Sequence, residues 1–124
     1  MLQLSPQTKV HVALAPTDMR RGFAGLSGEV RQVLEQDPLS GHLFLFRNRR
    51  RDRIKILAWQ GDGFAIFYKR LERGTFEFPQ ADNEGAASVE IRASELAMIL
   101  DGIRLEGRSR RPRFELADTA DGRS

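Results

Sequence analysis

The chain has 124 residues, a formal net charge of +3, no cysteine and two histidines. Its length fits one domain with a buried core, and the absence of cysteine excludes disulfides and thiolate metal sites. No apolar run exceeds five residues and no basic-then-apolar leader is present, so we expect no membrane contact, no secretion and a location in the cytoplasm.

The first third of the chain predicts a strand followed by a long amphipathic helix. Thr8–Ala15 alternates apolar and polar residues, which is typical of a strand with one buried face. Apolar residues then recur at three- and four-residue steps, which predicts a helix over Arg21–Gln36 with Thr17 or Asp18 near its start as a cap. Three glycines fall on about one stripe of this helix, and close packing against a sheet would explain them: Gly22, Gly25 and Gly28.

The middle of the chain predicts an antiparallel meander of three strands. Its segments are rich in Phe, Ile and Leu and are separated by turn residues: His42–Asn48, Arg53–Gln60 and Phe64–Arg70. Arg49–Asp52 would form the first hairpin tip. Gly61 and Gly63 supply the conformational freedom that the second hairpin needs.

Two short strands and a short helix are predicted beyond the meander. Gly74–Phe78 and Ser88–Ile91 fit strands, and the apolar residues of Leu96–Ile103 share one helix face. The predicted fold class is α+β, an antiparallel sheet of about five strands with one long helix packed on it and a short C-terminal helix. We expect a single domain over residues 1–103 and a basic, disordered tail over residues 104–124.

Basic charge is concentrated on the predicted meander. Between His42 and Arg73 nine bases stand against three acids, a formal excess of +6. Arg104–Arg113 adds five arginines against one acid, whereas the segment between these two regions is net acidic. This asymmetry predicts a polyanionic partner.

Arginine side chains on a hairpin suit DNA binding. The guanidinium fork bridges two phosphate oxygens or the O6 and N7 atoms of guanine, and a two-stranded ribbon fits the major groove. The expected DNA contacts lie beside the helix start, on the first hairpin and after the third meander strand: Arg20, Arg21, Arg47, Arg49, Arg50, Arg51, Arg53, Lys55, Lys69, Arg70 and Arg73. Solvated charge or local pairing with Asp18, Asp52 and Glu72 is the plainer alternative for each group.

Aromatic and acidic residues near these bases allow further interpretations. Trp59, Phe64, Phe67 and Tyr68 fit a buried sheet face, and stacking on unpaired bases is the alternative. His42 fits a strand-edge packing residue rather than a ligand. Four aspartates raise the possibility of a metal-dependent nuclease, but a cap, a turn or charge balance explains each: Asp18, Asp37, Asp52 and Asp62. We therefore expect no catalytic residue, no metal site and no cofactor.

Several longer strings occur in order along the chain. They are TDMRRGF at Thr17–Phe23, DPLSGHLF at Asp37–Phe44, FRNRRRDRIKIL at Phe46–Leu57, and YKRLERG at Tyr68–Gly74 followed by Phe76 and Phe78-Pro79. Together they resemble the accessory protein, often called TnpB, that is encoded by the second open reading frame of the insertion-sequence sixty-six family (IS66). The resemblance extends from about Val10 to Ile103.

The resemblance implies a non-catalytic accessory protein of bacterial DNA transposition, encoded beside a separate transposase that carries the catalytic core. The implied partners are the DNA of the element ends and that transposase. With the charge pattern, this favours DNA binding through the arginine-rich hairpin. The alternative is an adaptor that assembles transposase subunits without touching DNA, through apolar hairpin residues and Leu96–Ile103.

Overall fold

The computed structural model describes residues 5–81 and 84–102. The elements follow the order β1 (Lys9–Ala13), α1 (Phe23–Gln32), β2 (Leu43–Arg47), β3 (Arg53–Trp59), β4 (Phe64–Arg70), β5 (Ser88–Arg92) and α2 (Ala93–Leu100). These elements confirm the α+β class, the five strands and the short second helix. Neither of these helices has the length and apolarity that a membrane crossing requires. The expected tail, residues 104–124, lies outside the described residues.

The five strands form one sheet in the order β4-β3-β2-β1-β5. β1 runs parallel to β2, with Val10 opposite Leu43, and the other three strand pairs are antiparallel. The prediction of an antiparallel sheet is therefore wrong at this one pair, and the sheet is mixed. The reason is that the chain between β1 and β2 passes through α1. This long crossover returns the chain to the end of the sheet at which β1 began, so β2 runs in the same direction as β1.

The predicted meander is confirmed as β2, β3 and β4. Leu57 of β3 lies opposite Phe44 of β2 and Ile66 of β4, so these three side chains share one face of the sheet. Ile56 lies opposite Leu45 and Phe67, which puts that row on the other face. The alternation of the sequence thus determines which side chains are on each face.

Each face of the sheet has its own hydrophobic core. On one face α1 contributes Leu26 and Val30, which pack with Phe44, Phe46 and Leu57. On the other face α2 contributes Leu96 and Ile99. They pack with strand residues whose side chains point to that face, including Val10, Val12, Leu45, Ile54 and Ile56. The sheet is therefore the middle layer of the fold, and both helices are held by apolar burial.

Helix α1 is shorter than the sequence predicts. It spans 10 residues, Phe23–Gln32, rather than Arg21–Gln36. Glu35 has a φ of 55°, and the Gln36 amide donates to the Val30 carbonyl at 3.0 Å. The left-handed residue ends the helix, although the apolar periodicity continues to Leu34.

The start of α1 also differs from the prediction. Its N-cap is Gly22, without a side-chain cap, so neither Thr17 nor Asp18 caps the helix. The helix glycines do not mark close contact with the sheet. A Cβ atom at Gly22 or Gly28 would meet nothing within 4 Å, and one at Gly25 would meet the Arg21 side chain at 3.1 Å.

The segment Gly74–Phe78, predicted as a strand, forms no strand in the described part of the chain. It is instead held by Phe76, whose side chain is 1% exposed and belongs to the core on the α2 face. The Phe76 amide donates to the Arg51 carbonyl at 2.7 Å. The segment therefore satisfies its backbone at the first hairpin rather than in the sheet.

Candidate nucleic-acid interface

The turn between β2 and β3 carries the run of arginines and has a fixed backbone. Asn48 organises it, because its Oδ1 accepts from the amides of Asp52 at 3.1 Å and Arg53 at 3.0 Å. The Asn48 Nδ2 donates to Asp52 Oδ1 at 2.6 Å, and this hydrogen bond, with the nearby charges of Arg50 and Arg53, lowers the pKa of Asp52. Arg51 has a φ of 62°. Side-chain bonds of this kind specify a turn much as a backbone turn does.

The chain that follows β4 braces the same turn from one side. The Leu71 amide donates to the Asp52 carbonyl at 2.8 Å, and the Phe76 amide donates to the Arg51 carbonyl. Since Phe76 is buried in the core, the arginine turn is linked to the body of the fold. We call residues Arg49–Arg51 the tip.

The three tip arginines are exposed. Within residues 5–81 and 84–102, their side chains make no hydrogen bond and no ion pair with the protein. No described residue therefore occupies their guanidinium donors, which stand on an ordered backbone and suit an external anion.

A second basic group lies on the face of the sheet that α1 partly covers. Arg53 lies directly opposite Arg70, and Lys55 lies directly opposite Tyr68. Helix α1 covers the neighbouring rows of this face, whereas Tyr68 is 49% exposed and Arg70 is exposed. We call Arg53, Lys55, Tyr68 and Arg70 the open corner.

Lys55 connects the open corner to the start of α1. Its Nζ donates to the Arg21 carbonyl at 2.9 Å and lies 4.9 Å from the centroid of the Tyr68 ring. The stem of Lys55 is therefore held between the helix start and the tyrosine. The structure thus brings the helix start and the two meander strands together at this lysine.

Both arginines at the helix start have acidic partners. Arg20 binds Asp18 in a two-pronged pair with an Nη2–Oδ2 distance of 2.8 Å, and this contact lowers the pKa of Asp18 to about 2. Arg21 pairs with Glu29 at 3.2 Å rather than with Asp18. The alternative of local pairing with Asp18 therefore holds for Arg20 and not for Arg21, and both guanidinium groups already have a partner.

Arg47 is engaged within the fold. Its Nη2 donates to the Leu14 carbonyl at 2.5 Å, its Nη1 donates to the Asn48 carbonyl at 3.3 Å, and its guanidinium carbon lies 5.9 Å from the centroid of Phe78. Burial, with the charges of Arg51 and Arg49, lowers its pKa. These contacts make Arg47 a brace at the end of β2.

We predict that Arg47→Ala destabilises the protein by about 1–2 kcal/mol, because it removes charged hydrogen bonds to two carbonyls of which one belongs to a distant segment. Arg49→Ala is the matched control, since the exposed Arg49 side chain has no such contact and its removal is expected to change stability by less than about 0.5 kcal/mol. Urea unfolding of both variants measures the difference. Equal stability of the two variants would contradict the bracing role.

The two remaining predicted bases are separate from both groups. Lys69 lies opposite Ile54, and so does Arg47 on the other neighbouring strand, so both side chains are on the α2 face. Arg73 is exposed in the segment after β4. The structure therefore places three of the eleven predicted bases at the tip, five at the open corner with the helix start and two on the α2 face, while Arg73 is separate from all three groups.

The aromatic residues divide into three that pack against other apolar side chains and one that is exposed. Phe67 packs against the core of the α2 face, and Trp59 meets Phe64 edge to face with ring centroids 5.0 Å apart. For these three residues the packing interpretation agrees with the structure. For Tyr68 it is wrong, because the ring lies beyond the area that α1 covers. The His42 Nδ1 accepts from the Lys9 amide at 3.2 Å, which fits the strand-edge interpretation.

Three of the four aspartates have local partners in a turn or an ion pair, and Asp62 is exposed between β3 and β4. Asp18 holds Arg20, Asp52 holds Asn48, and Asp37 Oδ1 accepts from the Leu39 amide at 3.0 Å. Among the described residues, no group of three or more histidine or acidic side chains is placed to hold a metal ion.

Two residues that build the candidate interface were not predicted as site residues. Asn48 fixes the turn, and Phe76 anchors the segment that braces it. The sequence held a signal for the first, because asparagine beside a charged run is a frequent turn residue. It held none for the second, since the partner of Phe76 is a backbone carbonyl at Arg51.

Fold and interface together define a small α+β protein with a braced, arginine-rich hairpin. The family model described as IS66 Orf2 like protein matches residues 8–110, and the chain belongs to this family. It is 41% identical over 103 residues to the uncharacterised protein y4hO of Sinorhizobium fredii, covering 83% of this chain and 87% of that relative. It is 35% identical over 103 residues to the uncharacterised protein y4jC of the same organism, covering 83% and 86%. No solved structure matches the chain.

Membership of the IS66 Orf2-like family implies a transposition-associated accessory protein. The resemblance found in the sequence is thereby confirmed. The family is not known as catalytic.

Proposed function

We propose that this protein is a non-catalytic accessory factor that binds element DNA through the tip and cooperates with the transposase of the same element. One observation supports it most: three consecutive exposed arginines have no partner within the described chain and stand on a turn whose backbone is braced. Phosphate groups are the natural partners of such side chains. The local excess of +6 around them attracts DNA over a longer range.

The tip is better suited to the phosphate backbone than to base reading. Neighbouring residues on a ribbon point in different directions, and the left-handed Arg51 turns the chain between them. Three consecutive side chains therefore do not all reach the floor of one groove. Phosphate contacts position a protein on the duplex and carry no sequence information directly, so we assign selectivity for the element ends to the transposase.

The adaptor alternative is weakened by the position of the apolar residues expected to serve it. Leu96 and Ile99 are fully buried in the core on the α2 face, so they offer no surface to a partner. Ile103 lies outside the described residues. Contact with the transposase is accordingly proposed alongside DNA binding rather than in place of it.

The test is a titration of the purified protein against duplex DNA of an element end and against scrambled duplex, at several salt concentrations, with and without transposase. We expect the logarithm of the affinity to fall by about 0.9 per phosphate contact for each decade of salt, equally for both sequences. Transposase should add preference for the element end. A flat salt response, with DNA retained only when transposase is present, would instead support the adaptor.

Neutralising the charge of Asp18 provides a counterpart to this test. We predict that Asp18→Asn strengthens duplex binding, because the substitution releases Arg20 and keeps the acceptor for the Arg20 amide. At neutral pH the wild-type carboxylate is fully ionised, since its pKa is about 2. We call the slope of the logarithm of the affinity against the logarithm of the salt concentration the salt slope. If Arg20 then contacts a phosphate, the salt slope should steepen by about 0.9.

The matched control is Asp62→Asn, which makes the same charge change on the exposed hairpin between β3 and β4, away from the helix start. It is expected to leave the salt slope unchanged. An equal effect of the two variants would show that net charge alone, and not the release of Arg20, controls affinity.

A further inference from the structure

The open corner contains two positive charges that face each other. Arg53 and Arg70 are directly opposite on β3 and β4, an arrangement of like charges that destabilises a sheet. Among the described residues Arg70 pairs with one acid, Glu72, at 3.3 Å, and the two side chains are 56% and 83% exposed. Such an exposed pair is weak and screened by water, so it yields readily to a stronger anion.

Arg53 has no ion pair of this kind. In the described ranges its side chain forms no ion pair or hydrogen bond, and the nearby carboxylate of Asp52, whose charge it helps to stabilise, is hydrogen-bonded by Asn48. A phosphate group between Arg53 and Arg70 would relieve the repulsion, because each guanidinium can donate to separate oxygens of the same anion. The pair is therefore suited to an anion.

Tyr68 is adjacent to this pair on the same face, two residues along β4 from Arg70. Lys55 lies over its ring, and the Lys55 Nζ is itself fixed to the Arg21 carbonyl. The lysine supports the ring, while nearly half of the tyrosine is open to solvent. An exposed aromatic ring held in place beside basic side chains is the arrangement that stacks on an exposed base.

We propose that the open corner binds an unpaired nucleotide, with its base stacked on Tyr68 and a flanking phosphate held between Arg53 and Arg70. This inference rests on the proposed function of DNA binding and adds a second mode to it. In duplex DNA the bases are stacked on each other and their faces are inaccessible to a flat sheet surface. The tip, which carries no aromatic residue, grips duplex phosphates, whereas the open corner takes single-stranded DNA such as a frayed or processed element end.

The test compares Tyr68→Ala and Tyr68→Phe with wild type, using a short oligothymidine, the same oligonucleotide with abasic positions, and a blunt duplex. Fluorescence anisotropy at fixed salt gives the affinities. Tyr68→Ala should weaken oligothymidine binding roughly 5- to 150-fold, the range typical of losing one stacked base. Binding of the abasic oligonucleotide and of the duplex should stay unchanged. Tyr68→Phe should behave as wild type, because phenylalanine keeps the stacking face.

The phosphate part of the site is tested by Arg53→Ala with Arg70→Ala, which should lower the salt slope for oligothymidine by about 0.7 for each phosphate that is no longer bound. Thermal unfolding checks that each variant is folded. If Tyr68→Ala is not folded, stacking is measured with Tyr68→Phe instead. Equal binding of oligothymidine by folded Tyr68→Ala and wild type would overturn the site, as would an equal reduction in affinity for single strand and duplex.

The outcome also separates the two proposals. If the wild-type protein binds duplex but not oligothymidine, the open-corner site is wrong and the tip proposal stands. If it binds neither, both are wrong.

Discussion

Replacing Arg49, Arg50 and Arg51 together by alanine is expected to leave the protein folded and to remove most of its salt-dependent affinity for duplex DNA. The three side chains are exposed, and the turn is held by Asn48 and by backbone groups that alanine keeps. Removing three phosphate-binding side chains lowers the magnitude of the salt slope by about 2.7. Over a fourfold rise in salt, the wild-type affinity should therefore fall by about 40-fold more than that of the alanine variant. Anisotropy titrations at about 50 to 200 mM salt, with scrambled and element-end duplex, measure it.

Two controls separate the possible causes of that reduced affinity. Arg31→Ala removes one exposed charge from the last turn of α1 and should change affinity little. Replacing the tip by three lysines keeps the charge and removes the planar fork, so recovery of the salt slope would show that the interaction is chiefly electrostatic. An alanine tip that binds duplex with wild-type affinity and slope would move the DNA contact elsewhere and favour the adaptor.

Phe76→Ala is expected to have the largest effect on stability. The side chain is 1% exposed within the α2-face core, and truncating a buried phenylalanine costs about 3–5 kcal/mol. In a domain of this size the melting temperature should fall by at least about 12 °C. The arginine turn should loosen as well, because the Phe76 amide no longer reaches the Arg51 carbonyl reliably.

The matched control is Phe23→Ala, the same chemical change at a side chain that is 52% exposed, which should shift stability by about 0.5 kcal/mol or less. Phe76→Leu fills most of the space and should reduce stability by less than about 1.5 kcal/mol. Calorimetry of the three variants gives the comparison. Similar melting temperatures for Phe76→Ala and Phe23→Ala would show that the segment after β4 is not docked on the core.

The meander was predictable because its signals are local. Alternating apolar residues and the Gly61-Asp62-Gly63 hairpin specify strands and turn from a few neighbouring positions, and the predicted Phe64–Arg70 coincides with β4. The pairing of β1 with β2 depends instead on where a strand lies after a long connection. A strand, a helix and a strand in succession favour a parallel pair, a signal that the prediction of an antiparallel sheet left out.

The limits of the prediction for the site have a similar cause. Charge density predicted the tip as a candidate site, since exposed arginines need no partner elsewhere in the chain. Whether a basic side chain already has a partner within the fold depends on distant groups, as with Arg47 and the carbonyl of Leu14. For Tyr68 the alternation predicted a buried position on the sheet, but only the length of α1 decides how much of that face is covered.

Binding of DNA by the tip is tested most directly by an amide chemical-shift titration of ¹⁵N-labelled protein with a short duplex at low salt. The largest shifts are expected between Asn48 and Arg53, and they should weaken together as salt is raised. Amides of α2, Ala93–Leu100, should stay unchanged. Shifts that concentrate on α2 or β5 while the tip amides remain at their free positions would contradict the claim that the tip binds DNA.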